Sequence, residues 1–217
     1  VQAIIFDWDG TLADTLPHMY VATQEVAAGF GLRITWDDYC RLWTPDWRTL
    51  YRTFGLSPEL VEEAGRRWWA IYRGRDETEL FPGAAEALER LDRAGYRLAL
   101  VTAGHRDNVG SQIRRHGLDA LFPVRVHGDD LPEAKPHPAP LLRAIRQLGL
   151  GPTGEGSAYV GDALDDMRMA RAAGAHAVGI DSPLGDEPSL RAAGAHETAV
   201  SVAAWVDRLL AARTGAV

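Results

Sequence analysis

From residue 81 onward, short apolar runs alternate with amphipathic stretches, and this alternation restricts the fold more than any other property of the chain. Runs at 97–102, 157–161 and 176–180 are apolar and short enough for buried strands, and a weaker one lies at 121–126. Helical periodicity fills the gaps. Ala85, Leu88 and Leu91 share one face, and further helices are expected over 108–116, 138–148, 164–173 and 201–212. Gly95, Gly149 and Gly174 stand where three of these helices should stop. A further buried strand, Ala3-Ile4-Ile5-Phe6, opens the chain. Parallel strands need crossover connections, and helices packed on both faces of one sheet supply them. The expected fold class is α/β, a Rossmann-like doubly wound parallel sheet.

Residues 15–80 break this pattern. Helices are expected over 17–28, 36–43, 49–54 and 58–73, with Ser57-Pro58 as an N-cap and first-turn pair, and no strand interrupts them. The expected organisation is therefore a core made of 1–14 and 81–217, with an all-helical insertion at 15–80 after the first strand. Five of the seven tryptophans (Trp36, Trp43, Trp47, Trp68, Trp69) fall in the insertion. Rings at such spacing serve as the core of a small bundle, or line the inner face of a lid that closes on a substrate.

Composition narrows the function. A net charge of −7, with no basic run longer than the pairs Arg66-Arg67 and Arg114-Arg115, argues against nucleic-acid binding. Cys40 is the only cysteine, so a reducing compartment is expected. The absence of a long apolar segment or a secretory signal makes a cytoplasmic, membrane-independent protein the expectation. Lys135 is the only lysine among 23 basic residues. Where arginine serves everywhere else, a retained lysine suggests a site that needs a compact, titratable ammonium. The literal G-x-G-x-x-G at 149–154 follows a helix and precedes a strand, the reverse of a dinucleotide site, and reads as a connecting loop.

The opening strand runs into Asp7-Trp8-Asp9-Gly10-Thr11, which puts two carboxylates where the strand ends. Ligand sites of open α/β sheets gather outside such strand ends. Crowded carboxylates repel, and a hard divalent ion such as Mg²⁺ would hold them. Three later strand ends add partners. Thr102-Ala103-Gly104 offers a hydroxyl and open backbone N–H groups to a phosphate, Lys135-Pro136 precedes a helix, and Gly161-Asp162 is followed by Asp165 and Asp166.

Taken in order, Asp7-x-Asp9-Gly10-Thr11, Thr102, Lys135-Pro136 and Gly161-Asp162-x-x-x-Asp166 resemble the four motifs of the haloacid dehalogenase-like superfamily. The helical insertion after the first motif is similar to the cap of its phosphoglycolate phosphatase and β-phosphoglucomutase branch. The resemblance implies that Asp7 attacks phosphorus, giving an aspartyl-phosphate, and that Asp9 is the proton donor and acceptor, with its pKa held above that of Asp7. It implies Mg²⁺ on Asp7, Asp162 and the carbonyl of Asp9, with Asp166 a ligand or a water-bridged neighbour. Thr102 and the N–H groups of Trp8, Asp9 and Ala103, beside Gly104, would hold phosphoryl oxygens, with Lys135 pairing Asp7 and the phosphate. Thr11 would fix the turn and Asp9.

The presence of Asp9 separates this chain from the dehalogenases, P-type ATPases and phosphonate hydrolases of that superfamily. A Mg²⁺-dependent phosphatase acting on a small phosphorylated metabolite, as monomer or homodimer, is the leading expectation. A sugar phosphomutase of the β-phosphoglucomutase type is the alternative enzyme, and a catalytically silent binding or regulatory domain the alternative outside catalysis. Substrate choice would rest with the cap, where Arg48 is a candidate clamp for a second anionic group or else a surface arginine. His18, His105 and His137 lie near the motifs in sequence, with His105 the best placed for a cleft rim.

Overall fold

The computed structural model describes residues 1–73 and 78–214. They fall into two compact units, Thr15–Glu79 and the pair Val1–Asp14 with Leu80–Val217.

The first unit contains α1 (Leu16–Gly29), α2 (Trp36–Leu42), α3 (Trp47–Thr53) and α4 (Val61–Arg73), with a 3₁₀ turn at Pro58–Leu60. Thr35 and Asp46 cap α2 and α3 by accepting the N–H groups of Asp38 and Arg48. Ser57 makes no side-chain cap bond, so Pro58 alone sets the start of the turn before α4. Two apolar clusters hold the helices. One joins Val26, Tyr51, Leu56, Val61 and Ala64 with Trp47 and Trp68. The other joins Ala27, Ile34, Tyr39 and Leu50 with Trp36 and Trp43. Four of the five tryptophans thus pack in the bundle's own core, and Trp69 meets Trp68 edge-on at 5.2 Å. Gly65 makes this possible, since a Cβ there would sit 2.5 Å from the Trp47 ring.

The second unit is built on a six-stranded parallel sheet, β1 (Ala3–Phe6), β2 (Arg97–Val101), β3 (Val124–Val126), β4 (Ser157–Gly161), β5 (His176–Ile180) and β6 (Glu197–Ala199), in the order β3-β2-β1-β4-β5-β6. Its helices are α5 (Ala84–Arg93), α6 (Arg106–Arg115), α7 (Ala139–Gln147), α8 (Leu164–Ala173), α9 (Glu187–Ala193) and α10 (Val202–Thr214). Strand period sorts the side chains between the two layers. Ile4, Phe6 and Trp8 face α5, α6 and α10, together with Leu98, Leu100 and Val160. Ala3 and Ile5 face α7, α8 and α9, together with Ala99, Val101 and Tyr159. This is the doubly wound α/β fold that the alternation predicts. Two elements carried no periodic signal. α9 is seven residues long and defined by its caps, Asp186 at the start and left-handed Gly194 at the end. β6 is three residues, Glu-Thr-Ala, on the sheet edge. The expected strand at 121–126 is shorter because Asp119–Leu121 forms a 3₁₀ turn. Among the described residues, no helix is long and apolar enough to cross a membrane.

Candidate active site

β1 lies at the centre of the sheet, and the chain passes from it to β2 on one side and later to β4 on the other. Such a switch in direction leaves a crevice beyond the carboxyl ends of the strands. Phe6 is in register with Leu100 and Val160, so Asp7 emerges level with the ends of β2 and β4. The chain then turns back tightly. The Trp8 carbonyl accepts N–H groups from Thr11, Leu12 and Ala13 at 3.3, 3.0 and 3.0 Å. Gly10 sits at φ 76° in this turn. A Cβ on it would lie 2.4 Å from Asp162 Oδ2, so glycine serves both the bend and the approach of the second carboxylate.

Asp7 continues the face of Ala3 and Ile5, toward the layer that holds α7 and α8. Lys135, in the loop before α7, brings Nζ to 2.8 Å from Asp7 Oδ1 and 2.8 Å from Asp166 Oδ1. The Asp7 contact is a charge pairing outside hydrogen-bond angles. These side chains are 5%, 9% and 1% exposed, so the ions are paired in a nearly dry environment. Burial pushes Asp7 well above the usual carboxylate range, Lys135 opposes it, and Asp166, Asp162 and Asp9 add to the rise. Burial pulls Lys135 down, yet Asp166 and Asp7 together raise it above an ordinary lysine, which keeps it charged.

Asp162, just beyond β4, is fully enclosed. Its Oδ1 accepts the Thr11 hydroxyl at 2.9 Å, whereas Oδ2 is buried without a hydrogen-bond partner among the described residues. Burial, with the nearby Asp166 charge, lifts its pKa to about 7. Oxygens of Asp7, Asp162 and Asp166 lie within 4.8 Å of one another. Three carboxylates against one ammonium, with an unpartnered buried oxygen, form an oxygen-only donor set that fits a hard divalent cation. Asp166 has less to offer such an ion. Its Oδ1 already meets Lys135 and the Tyr159 hydroxyl (3.1 Å), and its Oδ2 accepts the Ala163 N–H at 3.0 Å.

Thr102 follows β2 directly, and its hydroxyl accepts the Gly104 N–H at 2.9 Å while lying 3.5 Å from Asp9 Oδ2. Gly104 has no room for a side chain, since a Cβ would meet Val109 at 2.5 Å and Asp9 Oδ2 at 3.1 Å. Asp7, Asp9, Thr11, Thr102, Ala103, Gly104, Lys135, Asp162 and Asp166 thus converge around the ends of β1, β2 and β4. One expectation needs correction. The Thr11 hydroxyl holds Asp162, not Asp9, because a buried carboxylate is the acceptor within its reach. The Asp9 carboxylate faces Thr102 and is outside the acidic cluster of Asp7, Asp162 and Asp166. Trp8 points into the core by strand period, with Nε1 donating to Gln112 at 2.7 Å, so only its main chain can meet a ligand.

Arg48 belongs to the helical unit, where its Nε donates to Glu62 at 2.7 Å and its guanidinium lies over the Trp47 ring. That arrangement favours the surface-arginine reading. His137 Nδ1 accepts the Ala139 N–H at the start of α7, and His105 sits 4.0 Å from Asp129. His18 stands in the first turn of α1 with a buried Nδ1 that has no hydrogen-bond partner among the described residues. Two residues of the second unit escaped sequence reasoning. Tyr159 donates between the Val101 carbonyl (2.9 Å) and Asp166, with Lys135 Nζ 5.4 Å from its ring centre. Gln112 holds the Trp8 indole. A tyrosine inside an otherwise apolar strand was the one signal available for the first, and nothing marked the second.

A family model described as haloacid dehalogenase-like hydrolase matches residues 4–180. The phosphoglycolate phosphatase of Nitrosococcus oceani is 32% identical over 182 residues, covering 79% of this chain and 80% of its own. CbbY of Rhodobacter sphaeroides, solved in complex with phosphate, superimposes with a TM-score of 0.79 at 27% identity, over 94% of this chain and 95% of its own. A Thermotoga maritima protein proposed as a β-phosphoglucomutase gives a TM-score of 0.75 at 27% identity, over 97% and 99%. With the motif residues gathered at one crevice and the match extending over most of the sequence, the chain belongs to the haloacid dehalogenase-like hydrolase family.

Proposed function

We propose that this chain is a Mg²⁺-dependent phosphatase that hydrolyses a small phosphomonoester through an aspartyl-phosphate on Asp7, with 2-phosphoglycolate the first substrate to try. The observation that carries the reading is the buried Lys135, the only lysine in the chain, placed 2.8 Å from both Asp7 and Asp166. An ammonium in that position opposes the rise that burial imposes on Asp7 and so favours the ionised form that a nucleophilic carboxylate requires. Asp7 attacks phosphorus in line and expels the substrate alkoxide. Asp9 protonates the leaving oxygen and then takes a proton from the water that hydrolyses the acyl phosphate. Thr102 orients Asp9 and, with the N–H groups of the Trp8–Asp9 and Ala103–Gly104 segments, meets the phosphoryl oxygens. Asp7 and Asp162, with the Asp9 carbonyl as a further oxygen, would hold Mg²⁺, which would supply positive charge against the charge of the transferring group. Thr11 orients Asp162, and Asp166 orients Lys135. The helical insertion at 15–80 serves as the substrate-selecting cap, and the protein works in the cytoplasm as monomer or homodimer.

Hydrolysis of p-nitrophenyl phosphate with Mg²⁺, its loss in EDTA and its loss in Asp7→Asn test this reading. Turnover by Asp7→Asn at the wild-type rate would sink it. The likeness to the Thermotoga maritima protein keeps the mutase as second reading. β-Glucose 1-phosphate separates the two, because a mutase forms glucose 6-phosphate and a hydrolase releases phosphate.

A further inference from the structure

The turn after β3 packs on the backbone that follows β2. A Cβ on Gly128 would fall 2.1 Å from the Ala103 carbonyl oxygen, and the Gly128 N–H donates to the Gly104 carbonyl at 3.0 Å. Asp129 Oδ1 accepts the Arg106 N–H at 3.0 Å and so caps α6. Asp130 ties the assembly together. Its Oδ1 pairs with the Arg106 guanidinium, its Oδ2 accepts the His127 N–H at 3.0 Å, and its carbonyl accepts from Arg143 of α7 at 3.0 Å. The Asp130 side chain is 8% exposed and that of Arg106 54%, so the carboxylate is enclosed and fixed by its three contacts while the guanidinium reaches solvent.

The segment held in this way is 102–104, the stretch that carries the Thr102 hydroxyl and the backbone N–H groups. A loop leaving a strand end draws little order from its own backbone, and a site needs its supporting residues to fix geometry within about half an ångström. Residues 128–130 supply that support from the far side, against the carbonyls of Ala103 and Gly104 and the first turn of α6. The same stretch of chain then continues to Lys135, so one connection places both the lysine and the Thr102 loop.

We propose that the turn at 128–130 positions the phosphoryl-binding loop 102–104, with Asp130 as the positioning residue acting through Arg106. This rests on the reading that 102–104 binds phosphoryl oxygens. The test measures inorganic phosphate binding by calorimetry in Mg²⁺ buffer, p-nitrophenyl phosphate kinetics and Tm for the same set of proteins. Asp130→Asn and Arg106→Gln should each weaken phosphate binding and kcat/KM by about 10-fold, and the double variant should be no worse than either single one. Gly128→Ala, which must move the Ala103 carbonyl by about 1 Å, should lose about 100-fold. Gly154→Ala is the control, because a Cβ there would fall 2.3 Å from the Ala175 backbone N at the opposite ends of the strands. It should lower Tm while leaving phosphate affinity and kcat/KM within about 2-fold. Wild-type phosphate affinity in both Asp130→Asn and Arg106→Gln overturns the proposal, and so does an equal loss of affinity in Gly154→Ala and Gly128→Ala. If Gly128→Ala fails to fold, the Asp130 and Arg106 variants decide. A wild-type protein that binds phosphate without hydrolysing esters would defeat the phosphatase reading while the affinities still judge the brace; one that binds no phosphate defeats the brace.

Discussion

Replacing Lys135 by methionine should reveal how the metal-free site balances its charge. The side chain is 5% exposed and meets Asp7 and Asp166 at 2.8 Å each, with Asp162 in the same acidic cluster. Removing one member of a buried ion pair costs about 3–5 kcal/mol, because the remaining charges are left uncompensated. For a protein of this size, that corresponds to a Tm lower by about 6–20 °C. The loss should depend on pH with a definite sign. Asp162 titrates at about 7 when folded, and Asp7 is also raised, both above the ~3.9 of an unfolded aspartate. Carboxyls with a raised folded pKa bind more protons in the folded state, so their contribution weakens as pH rises from about 4 to about 7. Without Lys135 these values rise further, and the extra instability should be largest near pH 8 and small near pH 5. Urea unfolding in EDTA at about pH 5 and about pH 8 measures it. A Lys135→Met protein as stable as wild type near pH 8, or one that loses equally at both pH values, refutes the reasoning.

Added Mg²⁺ should raise the wild-type Tm, and more near pH 8 than near pH 5, because ligand carboxylates must be deprotonated to bind it; differential scanning fluorimetry with and without EDTA reads this. Thr11→Val removes the hydroxyl at 2.9 Å from Asp162 Oδ1 and should weaken Mg²⁺ affinity by about 10–100-fold, seen as a shifted Mg²⁺ dependence of turnover. Gln112→Leu leaves the buried Trp8 N–H unpaired and should cost about 1–3 kcal/mol in urea unfolding with kcat nearly unchanged.

What could be read from the sequence, and what could not, follows from the range of the signals. The apolar run Ala3-Ile4-Ile5-Phe6 and its counterparts marked the strands. Strand ends in an α/β sheet locate a site, which marks Asp7, Thr102 and Asp162, and Lys135 is marked as the one lysine of the chain. Partners were harder. Thr11 meets Asp162 across 151 positions and Trp8 meets Gln112 across 104, pairings that depend on which loops the crossovers bring together. Period 2 sets Trp8 on the face of Ile4 and Phe6 but says nothing of what its indole finds there. Tyr159 was hidden because a tyrosine suits a buried strand as well as it suits a site. β6 and α9 are too short for periodicity to show.

The most direct test of the central claim is to look for the phosphoryl group on Asp7. Acid quenching during the first turnovers of p-nitrophenyl phosphate, followed by peptide mass spectrometry, should find one phosphoryl group on the peptide containing Asp7, removable by hydroxylamine and absent from Asp7→Asn. Rapid hydrolysis with Asp7 unmodified throughout, and with Asp7→Asn turning over at the wild-type rate, would contradict the account.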